Sequence, residues 1–240
     1  MREVIHGILE EEMPKLNCTL DAIFIDFPYG TTKAKWDTPV DLDIFWKEAK
    51  RLLKPNGVVI ATAQIPFSYT LANSNLKDLR YEWIWEKTSA TGALNAKKMP
   101  MKAHENVLIF YKKLPTYNPI KTTGHKRKVS TAAHKRNSKK TELYGDHELT
   151  GYDSTERYPR SVLVFPKDTQ KSKLQSTQKP LALVEYFIKT YTNEGDLVGD
   201  FCAGSGTTGE ACERLNRNYV LVEKEGYNID IIKDRLSKYE

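Results

Sequence analysis

Residues 26–30 of this 240-residue chain read Asp26-Phe27-Pro28-Tyr29-Gly30, at the end of the apolar run DAIFIDF. A carboxylate, a proline and an aromatic ring in that order suit the activation of a weakly nucleophilic amine. The lone pair of the exocyclic amine of adenine or cytosine is delocalised into the ring, so the nitrogen attacks poorly. If Asp26 accepts one of its hydrogens and the carbonyl of Phe27 or Pro28 the other, the nitrogen is driven toward tetrahedral geometry. Its lone pair is then aimed at an electrophilic methyl carbon. Proline stiffens the turn and has no N–H to compete. Tyr29 offers a flat face to a base taken out of a nucleic-acid stack. Such chemistry needs neither a metal nor a covalent intermediate. In isolation, the same five residues also read as an ordinary turn.

The second stretch, GDFCAGSGTTGEA (199–211), sets Gly204, Gly206 and Gly209 between a strand and a helix. Asp200, Phe201, Ala203, Ser205 and Thr207 complete a turn nearly bare of bulky side chains. Backbone N–H groups and a helix N-terminus can approach a ligand there. Glu223, about twenty residues on, ends the following strand, where it can accept from two ribose hydroxyls. Any adenosine-containing cofactor satisfies both statements, a nicotinamide dinucleotide included. A tight turn with no ligand is the plain alternative.

Positioning two such turns together requires a particular scaffold. Strand-like segments at 21–27, 57–63, 81–87, 105–113, 196–201 and 218–223 alternate with helical ones at 41–54, 180–191, 207–216 and 226–238. This is the pattern of an α/β fold with a largely parallel sheet. In the first helix Ile44, Phe45, Ala49, Leu52 and Leu53 fall at helical intervals, and Pro55-Asn56-Gly57 stops it. Ligands of open sheets collect beyond the carboxyl ends of strands, so both turns are expected on one cleft. Trp85-Glu86-Lys87 ends a strand on that side, and either borders the substrate or is a buried ring beside a surface ion pair. His104-Glu105 reads as a strand-end pair, and Ile229, Ile232 and Leu236 as packing residues.

Periodicity fails from about residue 113 to 175. Between Lys112 and Lys140 stand ten lysines and arginines and no acidic residue. A solvated loop has this composition too, but interleaved Tyr117, Tyr144, Tyr152 and Tyr158 favour an ordered module that holds a polyanion. Lys121, Lys126, Arg127, Lys128, Lys135 and Arg136 are the candidate phosphate contacts, and the net charge of +6 agrees with an anionic partner. Cys18, Cys202 and Cys212 match neither a disulfide framework nor a zinc site, and no metal is expected. No apolar run approaches the length of a membrane span, so a soluble, cytoplasmic protein is expected.

Together these stretches resemble the amino-methylating DNA methyltransferases of the β arrangement, in which the catalytic segment precedes the cofactor segment. Asp26–Gly30 is similar to that family's Asp-Pro-Pro-Tyr motif. GDFCAGSGTTGEA is similar to its Asp-Pro-Phe-x-Gly-Ser-Gly-Thr-Thr, and STQKP (176–180) to its Pro-Thr-Gln-Lys-Pro. The resemblance implies a Rossmann-like class I methyltransferase sheet of seven strands, mostly parallel with one antiparallel, in circularly permuted motif order. Residues 1–112 and 176–240 would be the catalytic and cofactor-binding halves of one domain, and 113–175 an inserted basic target-recognition region.

By the same resemblance, Asp26, Phe27, Pro28 and Tyr29 are catalytic. The cofactor is S-adenosylmethionine, held by Asp200, Phe201, Ala203, Gly204, Ser205, Gly206, Thr207 and Glu223, with Thr177 and Lys179 near its amino-acid end. The substrate is double-stranded DNA, methylated on N6 of adenine because Asp rather than Ser opens the catalytic motif, with N4 of cytosine as the alternative. A homodimer and a cognate restriction endonuclease are further partners the resemblance allows. The chain departs from the family pattern at Phe27, at Phe201-Cys202, at Ser176 and at Gly7-Ile8, where relatives carry a Gly-Asp pair. Loose cofactor binding, or a nucleic-acid-binding protein without turnover, would follow if those departures dominate.

Overall fold

Alternate residues of the run LDAIFID face opposite sides of a sheet, and both sides are apolar. Ala22 and Phe24 join one buried cluster while Ile23 and Ile25 join another. Burial on both faces is why this segment reads as a continuous apolar run and not as an alternation. The computed structural model describes residues 1–32, 34, 36–131, 151–167 and 178–239. These fall into two units, Met1–Asn118 with Ser161–Glu240, and Pro119–Arg160.

In the larger unit the strands are β1 (Arg2–His6), β2 (Leu20–Asp26), β3 (Leu53–Ala63), β4 (Leu79–Thr91) and β5 (Lys102–Tyr111). After the smaller unit, which holds β6 (Lys128–Ser130) and β7 (Tyr152–Ser154), come β8 (Val162–Phe165), β9 (Leu197–Asp200) and β10 (Asn218–Glu223). The sheet runs β1-β10-β9-β2-β3-β5-β4-β8. Every neighbouring pair is parallel except the two that β5 makes, so β5 is the one antiparallel strand. The sheet therefore has eight strands, not the expected seven. β8 lies inside the stretch whose periodicity fails, and it pairs with β4 from Ile84↔Val162 to Lys87↔Phe165. Its four residues are too few to register against the basic sequence around them, and the Trp85 indole N–H fixes it by donating to the Phe165 carbonyl at 2.9 Å.

Helices α1 (Leu9–Glu12), α2 (Leu42–Leu52) and α3 (Phe67–Ser74) contribute to the cluster on one face. Helices α4 (Leu181–Tyr191), α5 (Thr207–Arg214) and α6 (Gly226–Ser237) contribute to the cluster on the other. The start of α2 is set by Asp41, whose carboxylate accepts from the backbone N–H groups of Asp43 and Ile44 at 2.9 and 3.0 Å. Among the described residues, no helix is long and apolar enough to cross a membrane.

Candidate active site

Three parallel strands side by side, β10, β9 and β2, each end in an acid: Glu223, Asp200 and Asp26. β2 and β9 are direct neighbours, with Ala22 opposite Val198 and Ile23 opposite Gly199. The turns that follow them, 174 positions apart in sequence at Asp26 and Asp200, open into one cleft of about 1070 Å³. Asp26, Phe27, Pro28 and Tyr29 line it together with Asp200, Phe201, Ala203, Gly204, Ser205, Thr207, Glu223 and Lys179. Gly206, at the N-cap of α5, is not among the lining residues, and Thr177 lies outside the described residues.

Asp26 is heavily bonded. Its Oδ1 accepts from the Tyr29 hydroxyl at 2.9 Å and from the Thr62 hydroxyl, and its Oδ2 faces the Lys179 ammonium at 2.6 Å. Thr62 is the cross-strand partner of Asp26, on β3. Lys179 also reaches Glu105 at 3.3 Å, and the other Glu105 oxygen holds Lys87 at 2.6 Å. Two carboxylates and two ammonium groups thus alternate at the carboxyl end of the sheet, drawn from β2, β4, β5 and the chain entering α4. Burial alone would push the Glu105 carboxyl up, but Lys179 and Lys87 bring it down to about 2. Burial works against the Lys179 ammonium as well, yet Asp26 and Glu105 hold its pKa above the ordinary value. The Tyr29 hydroxyl is pushed well up, first by burial and then by the charges of Asp26 and Glu105.

The aromatic ring of Tyr29 stacks on Phe67, centroids 5.4 Å apart, and Lys179 lies 5.5 Å from its centroid. The face expected to receive a base is thus already in contact with other groups, and an incoming ring must share or displace them. Phe27, the departure in the catalytic motif, packs its ring into the core at 4.9 Å from that of Phe45. The side chain that stands where the family pattern has proline is thereby buried in the core.

The glycine turn is shaped from three directions. Gly204 and Gly206 have φ of +54° and +78°, and a Cβ on Gly206 would stand 2.9 Å from Ile232 of α6. The Glu223 carboxylate accepts from Gly204 N at 2.7 Å, from Glu225 N at 2.8 Å and from the Asn228 amide at 3.2 Å. From below, buried Arg235 donates to the Ser205 carbonyl at 3.0 Å and to Thr207 Oγ1 at 3.1 Å while pairing with Glu210. Gln178 is bonded to Ser205 at 3.1 Å, which ties the Gln-Lys-Pro segment to the turn. Asp200 is buried and accepts from Cys202 N and the Thr208 hydroxyl. Burial, reinforced by the charges of Asp26 and Glu223, raises its pKa to about 7.

Several of these residues were not legible as site residues. Thr62 sits inside the apolar strand GVVIATA, where a threonine reads as a β-former. Arg235 lies on a helix read as packing alone. Trp85-Glu86-Lys87, read as a border of the substrate or as a buried ring beside a surface ion pair, puts Trp85 and Lys87 on the cleft, and the Lys87–Glu105 pair is buried. Its partner Glu105 comes from the His104-Glu105 strand end, and their pairing across antiparallel strands is a tertiary fact. Asp37 gave no signal, yet it accepts from the backbone N–H groups of Gly30, Thr31 and Thr32 at 2.6–2.9 Å and so holds the loop after Tyr29.

In the smaller unit, β6 and β7 form an antiparallel ribbon with Val129 opposite Asp153. Arg127 forks onto Asp153 at 2.7 and 2.6 Å, and Lys121 pairs with Glu156 at 2.9 Å. Lys126 and Lys128 are exposed. Lys135 and Arg136 lie outside the described residues. No group of three or more His, Cys, Asp or Glu that could hold a metal ion occurs among the described residues.

Comparison with known proteins bears on this arrangement. A family model described as DNA methylase matches residues 20–234. The chain is similar to the type II methyltransferase M.HpaI of Haemophilus parainfluenzae, 26% identical over 231 residues covering 91% of this chain and 68% of the relative. It is also similar to the type II methyltransferase M.HinfI of Haemophilus influenzae, 28% identical over 98% of this chain and 68% of that one. Among solved structures, an M1.HpyAVI–SAM complex superposes with a TM-score of 0.65 at 22% identity, covering 98% of this chain and 99% of that chain. A PvuII DNA methyltransferase, described as cytosine-N4-specific, gives 0.65 at 15% identity over 98% and 91%. At those identities the two structures speak to the fold.

Proposed function

The chain belongs to the DNA methylase family, whose members methylate N6 of adenine or N4 of cytosine from S-adenosylmethionine, and from that premise we propose that it methylates N6 of adenine in duplex DNA, with the target base rotated out of the stack. The observation that carries the reading is the shared cleft: the Asp26 carboxylate and the Gly204 turn stand at the ends of adjacent parallel strands and line one space. Its volume suits a cofactor together with an extruded base, and its lining combines apolar surface with a few convergent polar groups.

The residues present fit the cofactor. Gly204–Thr207 offer backbone without obstruction, Glu223 is held in place to accept from a ribose, and the acids Asp200 and Glu223 suit a cation. S-adenosylmethionine supplies an electrophilic methyl carbon on a positively charged sulfur. Asp26 accepts a hydrogen bond from the target amine, and a carbonyl of the Phe27-Pro28 turn accepts the second. Together they favour the pyramidal nitrogen whose lone pair attacks. Thr62, Tyr29 and Lys179 fix the Asp26 carboxylate, so that little reorganisation is left for the moment of reaction. The proton that the methylated amine sheds passes toward the Asp26 carboxylate. Lys126 and Lys128 of the unit Pro119–Arg160 grip phosphates without reading sequence.

The experiment is sequencing of DNA from cells expressing the wild type or Asp26→Asn, by a method that reports modified bases. N6-methyladenine at a recurring site in the wild type alone is the expected result. Purified Asp26→Asn should turn over roughly 100- to 1,000-fold more slowly with cofactor affinity little changed. N4-methylcytosine at the site would move the assignment to cytosine. Unmodified DNA from cells holding cofactor-competent protein would leave a binding protein without turnover.

A further inference from the structure

A leucine that touches nothing stands at the rim of the cleft. Strand β4 ends at Thr91, Gly92 takes φ of +90°, and residues 92–101 turn back into β5. Leu94, in this turn, is fully exposed at 101% of its reference area, and Met99 and Met101 are 54% and 41% exposed. The turn is held by its own backbone, with Asn95 N donating to Gly92 O at 2.9 Å, Lys98 N to Asn95 O at 2.8 Å and Met99 N to Asn95 O at 3.0 Å. Thr91, Gly92, Asn95 and Lys102 line the same cleft as Asp26 and Tyr29. From residue 88 to 104 the chain has Lys97, Lys98 and Lys102 and no acidic residue.

Single exposed apolar side chains are ordinary on protein surfaces. Three of them on one self-bonded turn, interleaved with lysines, at the mouth of a cleft that receives a base, are a different matter. The partner must be apolar at close range and anionic around it. A duplex opened at one base pair meets both requirements: the vacated stack is an apolar slot, and phosphates flank it. We propose that the turn 92–101 enters the DNA helix and that Leu94 fills the space left by the extruded base, with Lys97 and Lys98 on the adjoining phosphates. This rests on the methyltransferase reading, and it assigns to one side chain the work of holding the duplex open. Apolar wedges of this kind offset part of the stacking lost when a base step is opened.

The test uses the full chain and two duplexes carrying the site found modified in expressing cells. In one the target base is paired normally, and in the other it faces a mismatch that already weakens its pairing. Leu94→Ala should slow single-turnover methylation of the matched duplex about tenfold and that of the mismatched duplex less than about twofold. Leu94→Met should restore the matched rate, and fluorescence of 2-aminopurine at the target position should fall in Leu94→Ala. Because Leu94 contacts nothing in the fold, the alanine variant is expected to fold normally. An unchanged rate on the matched duplex, or an equal loss on both, overturns the wedge while leaving the methyltransferase reading in place. A concentration-dependent dimer that Leu94→Ala abolishes also overturns it, since the turn would then serve a second copy. Absence of methylation of either duplex by the wild type overturns both readings.

Discussion

Asp26 is restrained by three donors, and the most informative of them is Lys179. By resemblance this lysine belongs near the amino-acid end of the cofactor, whereas its ammonium lies between Asp26 and Glu105 with only 10% of its side chain exposed. Lys179→Met would leave two acids beside each other and without it. Removing one partner of a buried ionic group costs on the order of 3 kcal/mol, so urea unfolding should register a loss of that size. Turnover should fall more than cofactor affinity. A lysine serving the cofactor alone would show the reverse, weaker binding with stability unchanged. Asp200 gives a second prediction. Its pKa, raised to about 7, leaves roughly a tenth of it ionised at pH 6 and nine tenths at pH 8. On the proposed placement of the cationic cofactor beside Asp200, it binds better to the ionised form. Equilibrium binding should therefore tighten as pH rises through 7, by up to about ninefold between pH 6 and 8, and Asp200→Asn should flatten the profile. At this scale the sequence revealed the acids and glycines, because their types carry a meaning of their own. Thr62, Lys87, Glu105 and Arg235 matter through whom they meet, which no spacing records.

The elements were legible where both faces or one stripe are apolar. β2, β9, β10 and helices α2, α4, α5 and α6 fall close to their expected bounds, because the hydrophobic period that identifies them is the one that buries them. β3 begins at Leu53, ahead of the expected 57, so that Pro55-Asn56-Gly57, read as the stop of a helix, lies on an exposed strand start. β1 and β8 escaped, being edge strands of five and four residues with half-polar exposure. Helix α3 escaped as well, since its eight residues, FSYTLANS, mix β-formers with small polar residues. The glycine turn illustrates how an element depends on its neighbour: α6 packs so closely that Gly206 has no room for a side chain. Gly206→Ala should cost about 1–2 kcal/mol from the left-handed backbone and more if Ile232 cannot yield. Chemical denaturation would measure that cost, and titration with S-adenosylmethionine should show weakened binding, because Gly206 joins Ser205 and Thr207, both of which line the cleft. Unaltered binding would mean that the turn serves the fold alone.

For the molecule as a whole, the charge excess seen in the sequence is only partly free. Among the described residues, exposed Arg127 and Lys121 are paired with Asp153 and Glu156, whereas Lys126 and Lys128 beside them are exposed and in no ion pair. Changing both to glutamine should lower the slope of log affinity against log salt by about 1.8, equally for every DNA sequence. Filter binding across a salt series checks this, and a loss confined to one sequence would make these lysines readers of bases. A different kind of durability follows from the pairing of β2 with β9. The two turns that must face each other are joined through main-chain bonds at the middle of the sheet, with four strands on one side and two on the other. Fraying of the outer strands, or excursions of the surrounding loops, leave their mutual distance untouched. No inexpensive local opening separates them, so the competence to react lasts as long as the most slowly exchanging amides of the protein and vanishes with them.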